Sequence, residues 1–222
     1  MRAVRVRREV LVSTVDPLST ADRDESAVPS YCHRNPLVRR LFWQRLDAAA
    51  TLADLRSVGR VLDYGAGSGV LLPTLDRSGC HVVATDLHLE PCRRMVAKLG
   101  VGAELVPFER FDAWVEENVG RFDRIFALDV LEHVDEQVLR RLSARFHALL
   151  APSGRLVESG PTESRTYRVA RALAGFAGNY HHRNVYDIDA TLRTDWTVER
   201  TTRLPRWPLP QGFLVTRYAP SG

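Results

Sequence analysis

The chain has 222 residues, 45% of them hydrophobic, enough to bury one substantial core and near the upper end of common single-domain sizes. No run approaches the roughly 18 uninterrupted apolar residues of a membrane span, and the N-terminal MRAVRVRREVLVSTVDPL has only a broken apolar stretch and no small-residue cleavage site, so a soluble, cytoplasmic protein is expected. The net charge of +4 comes almost wholly from arginines dispersed among acids, with Lys98 the one lysine, which disfavours a nucleic-acid surface; Cys32, Cys80 and Cys92 fit neither a disulfide framework nor a zinc site.

Residues 1–34 read as an N-terminal extension, partly flexible, for which no fold is assigned; STADRDESAVPS is polar enough for a mobile lead-in. From Asn35 the pattern becomes helical: Asn35 can cap, Pro36 suits the first turn, and Leu37, Val38, Leu41, Phe42 and Leu46 recur at helical spacing. Short apolar runs then alternate with helical patterns. Strands are expected at 60–64, 81–86, 104–107, 122–128 and 154–159, with helices near 69–78, 89–99, 111–119 and 136–150 and stops at Gly79 and Gly100. This alternation implies parallel pairing through right-handed crossovers, a Rossmann-like doubly wound α/β sheet with helices on both faces. After a further helix in YDIDATLRT, the runs TVERTTRL and GFLVTRY lie close enough to form a terminal hairpin. One domain, residues 35–222, is therefore expected to follow the extension.

The most informative stretch is VLDYGAGSGVLLPTL, residues 61–75: a buried strand, a turn with glycines at 65, 67 and 69, then a helical pattern. Residues without side chains let backbone amides approach a ligand at the carboxyl ends of the strands, where open α/β sheets bind cofactors. The spacing is G-x-G-x-G, one residue short of the dinucleotide G-x-G-x-x-G. Asp63 precedes the first glycine by two residues, where it would repel a pyrophosphate and attract an ammonium. Asp86 ends the second strand, placing a carboxylate where both ribose hydroxyls can donate to it. The glycine spacing and Asp63 favour S-adenosyl-L-methionine over a nicotinamide dinucleotide.

Through VLDYGAGSG, VVATDLH, FDRIFALDVLEHV and LAPSGRLV, roughly residues 58–160, the chain resembles the class I S-adenosylmethionine-dependent methyltransferases, particularly the small-molecule group of quinone-biosynthesis and natural-product enzymes. The resemblance implies a seven-stranded sheet with an antiparallel last strand. It also implies that Asp63, Gly65, Ala66 and Gly67 meet the methionine portion of the cofactor, Asp86 its ribose, and Leu87 the adenine. Where the family carries an acidic Gly-Asp-Ala after the third strand, this chain reads PFERFDAW, so Phe111 or Asp112 falls near the adenine, and Asp112 is assigned. Asp129, after the fourth strand, belongs to the segment that lines the cofactor and acceptor pocket in this family.

His133 is the leading general base, because an unperturbed imidazole titrates near neutrality; a structural role at a helix start is the alternative, and His182 is the second catalytic candidate. Asp129, Glu132 and His133 match a D/E-x-x-E-H pattern that some quinone O-methyltransferases and small-RNA methyltransferases use for a divalent ion, yet many relatives carry similar residues without one, and no metal is assigned. Residues 162–183 occupy the place where the family inserts material over the acceptor. Within them Arg165, Arg168 and Arg171 share a helix face that is read as solvated. The expected activity is methyl transfer to a small-molecule oxygen by a monomer or homodimer. The alternatives are nitrogen or carbon methylation, RNA methylation, a nicotinamide-dependent oxidoreductase, and a binding protein that keeps the fold without turnover.

Overall fold

A computed structural model describes residues 1–16, 28–162, 183–205 and 211–221. A seven-stranded sheet forms its centre: β1 Arg60–Tyr64, β2 His81–Asp86, β3 Ala103–Pro107, β4 Phe122–Leu128, β5 Leu150–Pro161, β6 Trp196–Leu204 and β7 Phe213–Pro220, in the spatial order β3-β2-β1-β4-β5-β7-β6. The first five strands run parallel, and β7 lies antiparallel to both β5 and β6. The expected seven-stranded sheet with an antiparallel last strand and a terminal hairpin is therefore present.

Alternation along the strands sorts side chains to two faces. Val61, Val82, Phe126 and Val157 meet α1 Arg8–Val15, α2 Val28–Tyr31, α3 Pro36–Ala53, α4 Leu72–Arg77 and α5 Leu89–Leu99. Leu62, Ile125, Leu156 and Tyr218 meet α6 Phe111–Glu117, α7 Glu136–Leu149 and α8 Val185–Leu192. Among the described residues no helix is long and apolar enough to cross a membrane.

Local chemistry sets the boundaries. The Asn35 side chain accepts from the Leu37 N–H at 2.9 Å and starts α3, Asp135 does the same for Val138 at 2.8 Å and starts α7, and Gly100 at φ 64° ends α5. α4 begins at Leu72, later than its sequence pattern suggests, because Gly69 at φ 73° prolongs the preceding turn, with the Leu72 N–H donating to the Gly69 carbonyl. β5 starts at Leu150, earlier than expected: Leu150 pairs with Phe122 before the register shifts. In the extension, residues 1–16 pack into the core, with Ala3, Val6, Leu11 and Val15 buried, and α1 lies against α5. Most of STADRDESAVPS lies outside the described residues.

Candidate active site

The carboxyl ends of β1, β2 and β4 bring the acidic residues and the glycine turn together. After Tyr64 the chain turns sharply: the Gly65 and Ala66 N–H groups donate to the Thr85 carbonyl on β2, at 2.9 and 3.1 Å, and Gly65, Gly67 and Gly69 all have positive φ. The reasons for glycine differ by position. A Cβ on Gly65 would stand 2.5 Å from Val130 Cγ2, whereas a Cβ on Gly67 would meet no atom of the chain within 4 Å. A side chain on Gly67 would therefore enter open space beside the Asp86 carboxylate that the Gly67 N–H meets.

Asp86 reaches that turn directly. One of its carboxylate oxygens accepts from the Gly67 N–H at 2.7 Å and the other from the His88 N–H at 2.9 Å. The carboxylate fixes the glycine loop and retains lone pairs for hydroxyl donors. Beside it, the Leu87 side chain is exposed, an apolar surface next to a polar cradle. Asp63, at the end of β1, is 3% exposed; burial, assisted by the nearby Asp86 charge, pushes its carboxyl up to about 7. A cation placed there would restore its ionisation.

Asp129 follows β4 in a left-handed conformation, φ 54°, held by its N–H donating to the Ser159 carbonyl at 2.8 Å. Its carboxylate accepts from Ser159 Oγ at 3.0 Å and pairs with the Arg45 guanidinium, which is 2% exposed on α3. Arg45 also donates to Tyr31 Oη at 3.1 Å and lies over the rings of Phe42 and Phe213. The N-terminal helices are thereby tied to the mouth of the site.

The other sequence candidates divide. His133 ends a short 3₁₀ turn, Leu131–His133, and is exposed at the same strand end as Asp129. Glu132, beside it, is 1% exposed and faces inward. Asp112 is exposed and bonds to Arg145 on α7 at 2.6 Å instead of to the glycine turn. Phe111 is a core residue, its ring packed on Tyr64 and Trp114. His182, His181, Arg165, Arg168 and Arg171 lie outside the described residues.

Arg45, Ser159 and Glu158 were not singled out from the sequence. Arg45 had a signal, since position 45 falls on the apolar stripe of Leu41, Phe42 and Leu46 where a solvated arginine does not belong. Glu158 is fully buried on β5, and burial, with Glu132 and Asp189 nearby, holds its carboxyl well above the ordinary range.

Known proteins share this fold. A methyltransferase-domain family model matches residues 34–201. A ubiquinone biosynthesis O-methyltransferase of Xanthomonas oryzae pv. oryzae is 36% identical over 141 residues, covering 61% of this chain and 55% of the relative. The chain thus spans little more than half the length of that relative. Two solved structures share the fold: a protein of Pyrococcus horikoshii OT3, with a TM-score of 0.66 and 16% identity over 87% of this chain and 96% of that one, and the N-methyltransferase NodS from Bradyrhizobium japonicum WM9 in complex with S-adenosyl-L-homocysteine, with a TM-score of 0.65 and 17% identity over 94% and 97%. With three quarters of its length matched by the family model, the chain belongs to the methyltransferase-domain family.

Proposed function

We propose that the chain transfers the sulfonium methyl group of S-adenosyl-L-methionine to an oxygen of a small hydroxylated molecule. The observation that carries this reading is the open space at Gly67, whose N–H donates to the Asp86 carboxylate, with Asp63 buried on the neighbouring strand near enough to feel the Asp86 charge. The bound cofactor supplies an activated methyl group. The chain's residues hold and align: Gly65, Ala66 and Gly67 leave room for the methionine portion, Asp63 faces its ammonium, Asp86 takes the ribose hydroxyls and Leu87 covers the adenine. With the cofactor bound, its sulfonium would give up the methyl group to the acceptor oxygen, and His133 would take the hydroxyl proton. An oxygen acceptor is favoured over nitrogen because the curated relatives are named O-methyltransferases. The protein acts in the cytoplasm as a monomer or homodimer on a small molecule and not on nucleic acid; the segment expected to cover the acceptor lies, over residues 163–182, outside the described residues.

Calorimetry with S-adenosylhomocysteine and NAD tests the cofactor. Only the former is expected to bind, and binding of NAD alone would reverse the assignment. Asp86→Asn is expected to weaken S-adenosylhomocysteine by about 1.5–3 kcal/mol, the range for a hydrogen bond to a charged group; unchanged affinity in a folded variant would remove Asp86 from the ribose.

Asp63 gives a pH signature. Its folded value of about 7 lies above the ordinary 3.8, so between these values the folded chain holds a proton that the unfolded chain has lost. Stability from this group is therefore present at low pH and declines as pH rises from about 4 to about 7. An ammonium placed beside Asp63 reverses the shift, so cofactor binding at pH 7 should release roughly half a proton. Titrations in buffers of different ionisation enthalpy measure this, and no release in the wild type, or equal release from Asp63→Asn, would refute the contact.

His133→Ala should lower kcat by roughly 10²–10⁴ with cofactor affinity nearly constant, the range for losing a general base. Full turnover would leave His133 a structural role and turn attention to His181 and His182. Because Asp129 is already balanced by Arg45 and Ser159, a chelator should leave turnover unchanged; loss on chelation with recovery on adding a divalent ion would establish the metal alternative.

A further inference from the structure

Arg45 stands where burial favours an apolar residue. It lies on α3 at 2% exposure, over the rings of Phe42 and Phe213, and among the described residues Asp129 is the one carboxylate it pairs with. A buried ion pair is a poor way to stabilise a fold, because desolvation of both charges offsets most of their attraction and an apolar pair of similar volume often does as well. An attested use of such a pair is to fix geometry, since a buried charge must meet its partner in one arrangement.

The partner is held in a backbone conformation that needs support. Asp129 has φ 54°, a left-handed state that few residues with side chains adopt. Three contacts keep it there: its N–H donates to the Ser159 carbonyl at 2.8 Å, its carboxylate accepts from Ser159 Oγ at 3.0 Å, and the Arg45 guanidinium pairs with it. The reversal at Asp129 decides where the next residue goes. Val130 is turned against the first glycine of the cofactor turn, so closely that a Cβ on Gly65 would stand 2.5 Å from Val130 Cγ2 and 2.7 Å from Val130 Cβ. The Gly65 N–H is held in turn by the Thr85 carbonyl of β2 at 2.9 Å, and two residues on the Gly67 N–H meets Asp86 at 2.7 Å. Val130 and β2 therefore set the turn between them.

A continuous line of contacts thus runs from α3 through the end of β4 to the glycines, by way of Arg45, Asp129, Val130 and Gly65. Its outer end also reaches α2, because Arg45 donates to Tyr31 Oη at 3.1 Å and the Tyr31 ring packs edge-on against Phe42 at 5.7 Å. Arg45 Nε meets no hydrogen-bond acceptor among the described residues, so the place of the guanidinium depends on Asp129 and Tyr31.

We propose that Arg45 is a positioning residue for the cofactor turn: by fixing Asp129 it fixes Val130 against Gly65, and docking of the N-terminal helices is thereby coupled to cofactor binding. The proposal rests on the assignment of the cofactor to the glycine turn made above. Coupling between sites is reciprocal, so bound cofactor holds α3 more firmly to the sheet just as Arg45 tightens cofactor binding.

Calorimetry with S-adenosylhomocysteine on the full chain tests the coupling. Arg45→Met should weaken binding at least about fivefold, the lower end of typical coupling between sites. Arg45→Lys keeps a cation facing Asp129 and should recover most of that loss. In a Val130→Ala background the link is already cut, so adding Arg45→Met should weaken binding no further. A role confined to stability would lower the unfolding temperature and leave the affinity of the folded variants unchanged, and that result overturns the proposal. So does a loss that Arg45→Lys fails to restore, or one that persists in full beside Val130→Ala, which would mean that Arg45 touches the cofactor directly. Hydrogen exchange on the wild type covers the case of an Arg45→Met chain too unstable to titrate. S-adenosylhomocysteine should slow amide exchange in α3, and should do so less in Val130→Ala; no protection of α3, or equal protection in both proteins, sinks the proposal. Failure of the wild type to bind S-adenosylhomocysteine at all is a different result, which removes the cofactor assignment itself and the proposal with it.

Discussion

Gly65→Ala is expected to destabilise the fold by about 2–5 kcal/mol, combining about 1–2 kcal/mol for an L-residue in the left-handed region with about 1–3 kcal/mol for overpacking. The added Cβ would stand 2.5 Å from Val130 Cγ2 and 2.7 Å from Val130 Cβ, on a backbone whose amide is fixed to the Thr85 carbonyl. Neither side can move without breaking the join between β1 and β2. Gly67→Ala serves as the contrast. Its Cβ meets no atom of the chain within 4 Å, so only the conformational cost applies to the fold, while the methyl intrudes on the space assigned to the cofactor. That variant should remain folded and bind S-adenosylhomocysteine roughly 5–150-fold more weakly, the equivalent of about 1–3 kcal/mol of steric misfit. Thermal unfolding together with calorimetry separates the two positions. Equal stability losses would contradict the contact with Val130, and normal ligand affinity in Gly67→Ala would remove that glycine from the cofactor site.

The contrast shows how far the sequence could be read. Glycines at 65, 67 and 69 between a strand and a helical pattern mark a ligand-binding turn, because the constraint is local and every residue involved is near in sequence. The same locality made β1, β2 and β4 readable to the residue and let Asn35 and Gly100 mark helix ends. That a side chain at Gly65 would meet Val130 while one at Gly67 would meet open space is a tertiary matter, since Val130 approaches through the pairing of β1 with β4. Asp112 shows the same limit from the other side. Its place after β3 suggests the adenine, but Arg145, 33 residues later on α7, engages it. The burial of Glu158 likewise depends on α8 and the 3₁₀ turn covering the sheet, neither of which is visible in the local pattern GRLVES.

Arg45 is the position where local pattern and tertiary chemistry conflict most, and its replacement should have the largest effect among the charged residues. Arg45→Met removes the partner of Asp129 and leaves a carboxylate only 19% exposed with Ser159 as its remaining donor. Breaking one side of a buried pair costs about 3–5 kcal/mol, because the surviving charge stays desolvated. For a chain of this size that corresponds to a fall in Tm of roughly 6–20 °C. The substitution also removes the donor to Tyr31 and the cation lying over Phe42 and Phe213, so α2 and α3 should loosen from the sheet along with the pair. Asp129→Asn added to Arg45→Met distinguishes these contributions. Asparagine tolerates the φ of 54° found there and carries no charge, so the double variant should recover part of the loss, while the Tyr31 and aromatic contacts stay broken. A double-mutant cycle in thermal or urea unfolding reads the coupling directly. A coupling energy near zero would mean that Asp129 is solvated or held by Ser159 alone, and the tie between the N-terminal helices and the mouth of the site would then rest on aromatic packing.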